Sequence, residues 1–413
     1  MFYRWLTILL CSLLSKALYG AEELLVVGGD GSNCIEDSGC VNRLHPLIPM
    51  THTANPGQTI LFRTRDANDV LGVIEDQNEE PETLDRDFGS VHPMAGPVHI
   101  VGASEGDTLK VNILSIDPGK FGFTRGGNGG FIPDLVEGDF LTIWRLNNEF
   151  AESDDIPGVR IPNASFPGVI SVLPGPDQLV EMLRRERDLA DVGGQVSLPF
   201  SEGASPEHIC GPSGIAPTEC LRTIPPREHG GNMDIRYLQA GVSIYLPCYI
   251  EGCGLTIGDL HYAQGDGEVS GTAIEMSANV RVTTEVIKNG PDLSRGPHYE
   301  GLSDVLDIPS RRFYAVTGIP VKESGEVPPR MSYLNSDFVS GLTNLSNDIS
   351  LAARNAVDGI LDYIVSEYGY DRNQAYVIAS VAVDLRVSQL VDSPNVGVTA
   401  LLPLDIFNHQ KFK

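Results

Sequence analysis

Basic residues are scarce in this 413-residue chain, which has 29 lysines and arginines against 55 aspartates and glutamates and a formal net charge of −26. Because nucleic acids and anionic membranes are themselves negatively charged, a chain with this field repels both. We therefore expect neither a nucleic acid nor a membrane surface as a partner. An uncharged small molecule would be indifferent to the field.

Long apolar runs are also lacking. The run at residues 6–14 is too short to span a bilayer, and no other stretch approaches eighteen uninterrupted apolar residues. This run follows the positive charge of Arg4 and precedes Ser15-Lys16-Ala17, a small-x-small pattern typical of signal-peptide cleavage, with Gly20 as a second cleavage point. We predict that residues 1–20 are a signal peptide and that the mature protein is soluble and secreted or extracytoplasmic.

Cysteine is infrequent as well, and one of the seven cysteines, Cys11, lies in the predicted leader. An even number of remaining cysteines in an exported chain favours disulfides, although six cysteines allow fifteen connectivities. Nearest-neighbour pairing is the simplest prediction, because each pair brackets a loop with glycine or proline. Zinc ligation or a nucleophilic thiol is the weaker alternative for the last pair, since no second cysteine pair stands at zinc-ribbon spacing. The three pairs are Cys34 with Cys40, Cys210 with Cys220, and Cys248 with Cys253.

Glycine and proline are abundant by contrast, with 44 and 28 residues, and the apolar stretches between them are short. Segments 58–64, 108–113 and 280–286 alternate between apolar and polar side chains, which is the period of a half-buried strand. Most of residues 50–290 is therefore expected to form a β-sandwich or barrel with long functional loops.

The C-terminal part follows a helical period. Apolar side chains recur at i, i+3 and i+4 from Ile349 to Ile364, which predicts a helix with one buried face, and Gly369 is placed to end it. Asp371, three residues before Gln374, indicates a capping box that opens the next helix.

The length exceeds what one hydrophobic core usually supports, so more than one packed unit is expected. The loop at 325–330 is the predicted boundary. We predict an α+β, predominantly β fold, in which residues 21–325 form a β-sandwich or barrel body that carries the functional site. Residues 326–413 then form a C-terminal α/β portion packed on that body.

Two short polar segments concentrate groups that bind metals or transfer protons. Residues 227–234 combine Arg, Glu, His, Asn and Asp with two glycines, and residues 259–268 contain two aspartates, a histidine, a glutamine and a glutamate. Asp259 and His261 are two residues apart, so on an extended strand both side chains leave the same face. That spacing suits two ligands of one metal, or a carboxylate that orients an imidazole. A Gly-Asp-Gly turn and a hydrogen-bonded interior histidine are the structural alternatives, but a turn does not require His, Gln and Glu as well. If residues 242–247 form a strand, the two segments can fold onto each other.

These segments read Thr-Ile-Pro-Pro-Arg-Glu-His-Gly-Gly-Asn-Met-Asp at 223–234 and Gly-Asp-Leu-His-Tyr-Ala-Gln-Gly-Asp-Gly-Glu at 258–268. Together with shorter stretches at 91–97, 106–109, 166–170 and 382–389, they resemble the acetamidase/formamidase family, over roughly residues 45–405. The resemblance implies hydrolysis of a small linear amide, formamide or acetamide, to ammonia and the carboxylic acid, with a bound divalent metal.

An amide is a poor electrophile, so its hydrolysis needs an activated water, a polarised carbonyl and a proton for the leaving amine. A divalent metal can perform the first two tasks. The candidate ligands are Asp234, Asp259 and His261. Two carboxylates and one imidazole suit zinc, manganese or iron, whereas an oxygen-only shell would indicate calcium. We expect zinc, with calcium as the alternative.

Proton transfer is assigned first to Glu268 and second to Glu228. Asn232 and Gln264 can donate amide hydrogens to the developing oxyanion or orient the substrate carbonyl. The sequence has no Gly-x-Ser-x-Gly elbow, so serine chemistry has little support. His229 and His92 are lesser candidates, with structural or outer positions.

The competing interpretation is a secreted, calcium-binding β-sandwich that binds a ligand without catalysis. Composition and disulfides fit this class equally well, but calcium loops rarely need imidazole, so the mixture of His, Gln and Glu with aspartates favours an amide hydrolase. The sequons at Asn163 and Asn344 bear on the protein only in a eukaryotic source. The expected partners are a small-molecule amide and further copies of the chain, in a homo-oligomer of unspecified size.

Overall fold

The computed structural model describes residues 24–85, 87–126, 140–155, 160–264, 268, 271–306, 312–321, 348–369, 384–392, 394–404 and 407. The first strands are β1 Leu25–Val27, β2 Cys40–Val41, β3 Arg43–Leu44, β4 His52–Ala54, β5 Ile60–Arg63, β6 Met94–Ile100, β7 Thr108–Gly126, β8 Phe140–Leu146, β9 Phe150–Glu152, β10 Arg160–Pro162 and β11 Phe166–Ser171. The remaining elements are α1 Pro176–Asp191, α2 Glu207–Cys210, β12 Leu221–Arg222, β13 Gly230–Asn232, β14 Ser243–Pro247, β15 Cys253–His261, β16 Glu275–Ile287, β17 His298–Leu302, β18 Arg312–Gly318, α3 Ile349–Tyr368, β19 Asp384–Gln389 and β20 Gly397–Pro403.

The described part of the chain is predominantly β, as the sequence predicts. Eighteen of these strands share one hydrogen-bonded network, and β3 pairs with β12 in a separate two-stranded sheet. Most neighbours are antiparallel, while β1–β5 and β4–β6 are parallel. The short apolar stretches between glycines and prolines thus form short strands, several of which pair with more than one neighbour.

The three segments with alternating side chains all form strands. Residues 58–64 contain β5, residues 108–113 begin β7, and residues 280–286 lie in β16. In β16, Ala278, Val280 and Val282 are buried, while the residues between them are partly exposed. Burying a valine stabilises a fold by about 1.5–3 kcal/mol, so this alternation fixes which face of the strand meets the core.

A single strand joins the two polar segments. The predicted strand at 242–247 is present as β14, but it pairs with β7 and β17. Instead, β11 lies between β13 and β15, with Val169 opposite Asn232 on one side and Phe166 opposite His261 on the other. The first polar segment therefore meets the second across β11.

The predicted C-terminal helix is α3, which packs on β18 and β20. It buries Ala352, Ala356, Ile360 and Ile364, the face that the helical period marked. Gly369 ends the helix with φ +72°, donating its N–H to the carbonyl of Val365, a glycine cap in the left-handed conformation.

Several sequence predictions fall outside the described residues: the leader, the boundary loop at 325–330, the capping box at 371–374 and the Asn344 sequon. The division at residue 325 stays a prediction. In the described part, β19 and β20 join the main network through β18.

Helix α1 was not predicted; it begins with Pro176 and buries Leu179, Met182 and Leu183. Neither α1 nor any other described helix combines the length and apolar character that a membrane crossing requires.

All six cysteines outside the predicted leader form disulfides, in the nearest-neighbour pairing: Cys34–Cys40, Cys210–Cys220 and Cys248–Cys253. The alternatives of zinc ligation or a nucleophilic thiol at the last pair are therefore wrong, because a disulfide consumes the thiolate. Each bridge closes a short loop, and all six residues are buried.

We predict that the purified mature protein carries all three bridges. Mass spectrometry before and after reduction should show a gain of six hydrogens, two for each bridge. Alkylation without reductant should label none of the six thiols; complete labelling would contradict the disulfide framework.

Candidate active site

His261, the last residue of β15, lies at the centre of a group of carboxylates. Its Nε2 atom is 3.2 Å from Glu275 Oε2, 3.5 Å from Asp259 Oδ2 and 4.0 Å from Asp234 Oδ1. All four residues are buried, none exposing more than 2% of its surface. The structure thus brings together the three sequence-predicted metal ligands and adds Glu275, which faces His261 across the β15–β16 pair.

Gln264 fixes the orientation of the imidazole. Its side-chain amide donates to the Asp234 carbonyl (2.9 Å), so its Oε1, 2.9 Å from His261 Nδ1, is the acceptor of that contact. Nδ1 therefore carries a proton, and Nε2 is the atom turned toward the carboxylates. Hydrogen bonding of one ring nitrogen to an outer acceptor is how metal-binding histidines are oriented.

Three acidic residues of the site adopt left-handed backbone conformations: Asp234 (φ +49°), Asp259 (φ +53°) and Glu268 (φ +44°). Positive φ is uncommon for residues other than glycine, although Asp tolerates it better than most. At Asp259 it departs from the extended conformation within β15, so the convergence of Asp259 and His261 does not arise from regular strand alternation alone.

Gly168, on β11, leaves the space that this cluster occupies. A Cβ atom at Gly168 would lie 2.6 Å from Asp234 Oδ1, 2.7 Å from Asp259 Oδ2 and 2.8 Å from His261 Cε1. Real Cβ atoms essentially never approach other atoms this closely, so any larger residue at this position would force the three side chains to shift. Its carbonyl also accepts the N–H of Met233 (3.0 Å), which ties the first polar segment to β11.

The donor set fits a divalent metal. Among the described residues, His261 Nε2, Glu275 Oε2 and both carboxylate oxygens of Asp234 are buried and make no hydrogen bond of normal geometry, although Nε2 and Oε2 lie 3.2 Å apart. Two triads have ligand atoms within 4.8 Å of one another, Asp234–His261–Glu268 and Asp259–His261–Glu275. Buried, unsatisfied carboxylates and an imidazole nitrogen that point at one space are the arrangement that a cation stabilises.

The ionisation of these groups reflects their crowding. Burial raises the pKa of Asp234 and of Glu268 well above the usual values, and neighbouring carboxylates add to the shift of Asp234. Burial also raises the pKa of Glu275 to about 7 and that of Asp392 to about 6. For His261, burial favours the neutral form, but Glu275 and Asp259 outweigh it and raise its pKa well above the usual value. Without a cation, the cluster cannot ionise fully.

Asn232 and Asp392 extend the cluster of carboxylates around His261. Asn232 Nδ2 donates to Asp392 Oδ2 at 2.8 Å, and its Oδ1 has no partner among the described residues. Gln264, which the sequence marked as a candidate donor to substrate, instead directs its amide to the carbonyls of Asp234 (2.9 Å) and Ser388 (3.4 Å).

Glu228 lies outside the cluster. Both of its carboxylate oxygens bind Arg185 of α1, at 2.5 and 2.9 Å. The adjacent residues form a second ion pair of the same kind, in which Arg227 binds Glu186 of the same helix at 2.7 Å. Burial would raise the pKa of Glu228, but the Arg185 charge holds it below its usual value. This double ion pair anchors the first polar segment to α1.

The two lesser histidine candidates are both buried or nearly so. His229 is fully buried, its Nδ1 is 2.8 Å from Ser171 Oγ, and burial lowers its pKa to about 3, so it is neutral. His92 is 9% exposed and donates its backbone N–H to Thr223 Oγ1 at 2.8 Å; after burial, its interaction with Asp259 is the largest influence on the pKa of that carboxyl, which lies below its usual range.

Three site residues were missed from the sequence. Glu275 could be found only from the register of the β15–β16 hairpin, which places it opposite His261. Asp392 follows β19, more than a hundred residues away from the other members, and carries no local signal. Gly168 lies in the stretch 166–170, but its role depends on which strands flank β11.

The fold and site define a β-rich protein with a buried centre of carboxylates and histidine. The profile of the Acetamidase/Formamidase family matches residues 30–409. A formamidase of Methylophilus methylotrophus is 31% identical over 393 residues, 90% of each chain, and an acetamidase of Mycolicibacterium smegmatis is 31% identical over 366 residues, 82% of this chain and 84% of its own. The chain therefore belongs to the acetamidase/formamidase family and is an amide hydrolase, and the comparisons give no support to the non-catalytic alternative.

Solved structures agree with this assignment. The γ-lactamase of Delftia acidovorans superposes with a TM-score of 0.59 at 30% identity, over 90% of each chain. A predicted acetamidase/formamidase of Thermoanaerobacter tengcongensis gives a TM-score of 0.65 over 93% of this chain and 96% of its own; at 20% identity it supports the fold alone.

We predict that Glu228 has an anchoring role. Glu228→Ala leaves the Arg185 guanidinium, which is 5% exposed, without its charge partner, so the free energy of unfolding in urea should fall by about 3 kcal/mol. Turnover of the folded protein should stay within about tenfold of wild type, because loss of a proton-transfer group would cost about 10²–10⁴-fold.

The matched control is Glu181→Ala, which removes an ion pair of Arg184 on the exposed face of the same helix. Its cost should stay below about 1 kcal/mol. A Glu228→Ala protein with normal stability and abolished turnover would return this residue to the catalytic group.

Proposed function

We propose that this protein hydrolyses a small linear amide, formamide or acetamide, to ammonia and the carboxylate, at a centre where Asp234, Asp259 and His261 hold a divalent metal. The observation that carries the proposal is the convergence of His261 Nε2 with two aspartates over the space left by Gly168. The family membership supports the reaction class, and the relatives named formamidase and acetamidase support the substrate class.

Zinc is the metal we propose, because an imidazole nitrogen with two carboxylates is a ligand set of zinc enzymes, whereas calcium prefers oxygen alone. When bound, such a metal supplies Lewis acidity, which polarises an amide carbonyl and acidifies water. Glu275 or Glu268 is available as a further ligand, since each forms a triad with His261 and one aspartate.

The protein groups around the centre hold it ready. Gln264 keeps the proton of His261 on Nδ1 and leaves Nε2 as an electron-pair donor. Because Gln264 also holds the Asp234 carbonyl, one side chain fixes two of the three proposed ligands. We assign Gln264 to positioning, and leave the donation of a hydrogen bond to substrate to Asn232, whose amide lies at the edge of the cluster.

Proton transfer is assigned to Glu268. It takes a proton from the attacking water and delivers it to the leaving nitrogen, which departs as ammonia. Glu268 is 6% exposed and lies within reach of Asp234 and His261. Glu228 is excluded from this role in the proposal because its carboxylate is committed to Arg185.

The first experiment is elemental analysis of the purified protein, followed by ammonia release from formamide and acetamide. One zinc per chain and turnover of at least one amide is the expected result. A cyclic amide, tested by ring opening of a γ-lactam, is the second candidate substrate, because a relative of 30% identity is a γ-lactamase. Failure on all three substrates with metal present would reject the proposed reaction.

We further propose export of the mature chain, its assembly as a homo-oligomer, and packing of residues 326–413 on the body. The leader pattern and the three disulfides support export, since disulfides persist in oxidising compartments.

Asp259→Asn and His261→Ala should each lose the metal and most activity while the protein is still produced and folded. Gly168→Ala should act in the same way without removing any ligand, because its methyl group would occupy the space between the three side chains. Metal content per folded chain is the measurement. The control is His298→Ala, which removes an imidazole buried to 4% exposure in β17, outside the cluster. Full metal content in all three site variants would contradict the ligand assignment.

Glu268→Gln keeps the shape of the side chain and removes its titrating group. We expect nearly normal metal content and a fall in kcat of about 10²–10⁴-fold. Metal content, melting temperature and ammonia release together identify the role. Loss of the metal would indicate that Glu268 is a ligand. Near-normal turnover with a lower melting temperature would indicate a structural role and would assign proton transfer to Glu275.

A further inference from the structure

A cavity of about 530 Å³ lies beside α3. Strands β14, β17 and β18 form its floor, and α3 and the segment at 287–295 form its walls. The described residues that line it include none of the His261 cluster, so it is separate from the candidate active site. Small-molecule sites have volumes of about 300–1,000 Å³, so the cavity is large enough to hold such a ligand.

The polar side chains of the floor share one face of the sheet. Tyr245 pairs with His298, and Glu300 pairs with Tyr314. Residues directly opposite one another, and residues two apart on one strand, point to the same side of a sheet. Helix α3 covers this side, because the ring of its Tyr363 stacks on Tyr314 with the ring centroids 3.4 Å apart. These four polar groups are therefore enclosed between the sheet and the helix.

Glu300 offers the cavity a carboxylate oxygen. Its Oε1 atom accepts hydrogen bonds from Tyr245 Oη at 2.5 Å and from Lys110 Nζ at 3.1 Å. Both donors bind the same oxygen, so Oε2 receives no hydrogen bond from the described residues. The side chain is 29% exposed, and Oε2 is available to a donor that enters the cavity.

Carboxylates outnumber charged basic groups around the cavity. Among the described lining residues the basic charge belongs to Arg295, which is committed to α3, 2.7 Å from Asp358 and 2.9 Å from Asp362. A concave surface of this sign attracts cations and repels anions, as does the net charge of the chain. The lining carboxylates are Asp292, Glu300, Asp362 and Glu367.

His298 offers a hydrogen-bond donor instead. Burial lowers its pKa to about 3 and raises the pKa of Tyr314 well above the usual value, so both side chains are neutral. The Tyr314 hydroxyl finds its acceptor among the described residues at His298 Nδ1, which places the proton of the imidazole on Nε2. Nε2 makes no hydrogen bond with the described residues, although His298 is only 4% exposed. A buried N–H at the wall of a cavity requires an acceptor, which a ligand oxygen can supply.

We propose that this cavity binds a small organic ammonium ion that carries a hydroxyl group on an apolar body, that is, an amino alcohol. The ammonium group donates to Glu300 Oε2, a charge-assisted hydrogen bond, and the hydroxyl oxygen accepts from His298 Nε2. Ile287, Pro291 and the Tyr245 ring line the space for the apolar body. This inference does not depend on the proposed amide hydrolysis.

The test is a calorimetric titration of the mature protein with 2-aminocyclohexanol and two analogues of the same ring. Cyclohexylamine lacks the hydroxyl, and its Kd should be about 2- to 10-fold higher, the value of one neutral hydrogen bond. Cyclohexane-1,2-diol lacks the charge, and its Kd should be about 10- to 100-fold higher, the value of a hydrogen bond to a charged group.

Two variants separate the roles of the floor residues. Glu300→Gln keeps an acceptor for Tyr245 and removes the charge, so both amines should bind about 10- to 100-fold more weakly while the diol is unaffected. His298→Phe keeps a ring and removes the Nε2 proton, so the affinity for 2-aminocyclohexanol should fall to that for cyclohexylamine. Asp188→Asn removes a carboxylate on the surface of α1 and should change neither affinity.

Absence of binding at millimolar 2-aminocyclohexanol, or equal binding of the three ligands, would overturn the inference. If Glu300→Gln does not fold, Glu367→Gln on α3 replaces it and should weaken both amines by a smaller factor; unchanged binding in that variant would count against the cavity. Asp259→Asn should bind the amino alcohol as wild type does. Loss of binding in Asp259→Asn would place the ligand in the His261 cluster and reject the cavity as its site.

Discussion

The hydrogen bond between His261 Nδ1 and Gln264 Oε1 is the interaction on which the chemistry of the site depends. It settles which nitrogen of the ring carries the proton and therefore turns Nε2 toward Asp234, Asp259 and Glu275. Had the glutamine amide been reversed, its donor would face Nδ1, and a neutral ring would present a proton to the carboxylates. Gln264 cannot reverse without losing its bond to the Asp234 carbonyl. The side chain of Gln264 thus fixes both the orientation of the imidazole and the position of the first polar segment.

A second constraint is the backbone of β11. The strand holds both polar segments by main-chain hydrogen bonds, and it passes beneath the cluster at Gly168, where a single methyl group would fill the space. Behind this layer, the ion pairs Arg185–Glu228 and Arg227–Glu186 join the first segment to α1. Buried ion pairs contribute little net stability, but removal of one partner is costly, so they restrict the segment to one position. The site is rigid because its elements are anchored on sides that do not face it.

The sequence predicted what local patterns encode. Strands at 58–64, 108–113 and 280–286, the helix from Ile349 with its glycine end, and the pairing of neighbouring cysteines all follow from periods and spacings of a few residues. The grouping of Asp234, Asp259 and His261 was also foreseen, although through β14 rather than β11. Glu275 and Asp392 were not, because strand register and a loop more than a hundred residues away bring them to the site. Glu228 has the chemistry of a general base, and only its partner on α1, a helix that was not predicted, explains its different environment.

The position of Asp392 bears on how the two predicted portions of the chain depend on each other. The loop from Gln389 to Asn395 reaches the site from strands of the C-terminal part, yet Asn395 binds the Pro226 carbonyl and Asp392 binds Asn232, both in the body. The complete site therefore exists only when β19 and β20 have joined the network through β18. A ligand that binds this site stabilises the folded state in proportion to the logarithm of its concentration over Kd, and here it acts on both portions at once. The described side chains around the cluster therefore come both from the body and from the loop after β19.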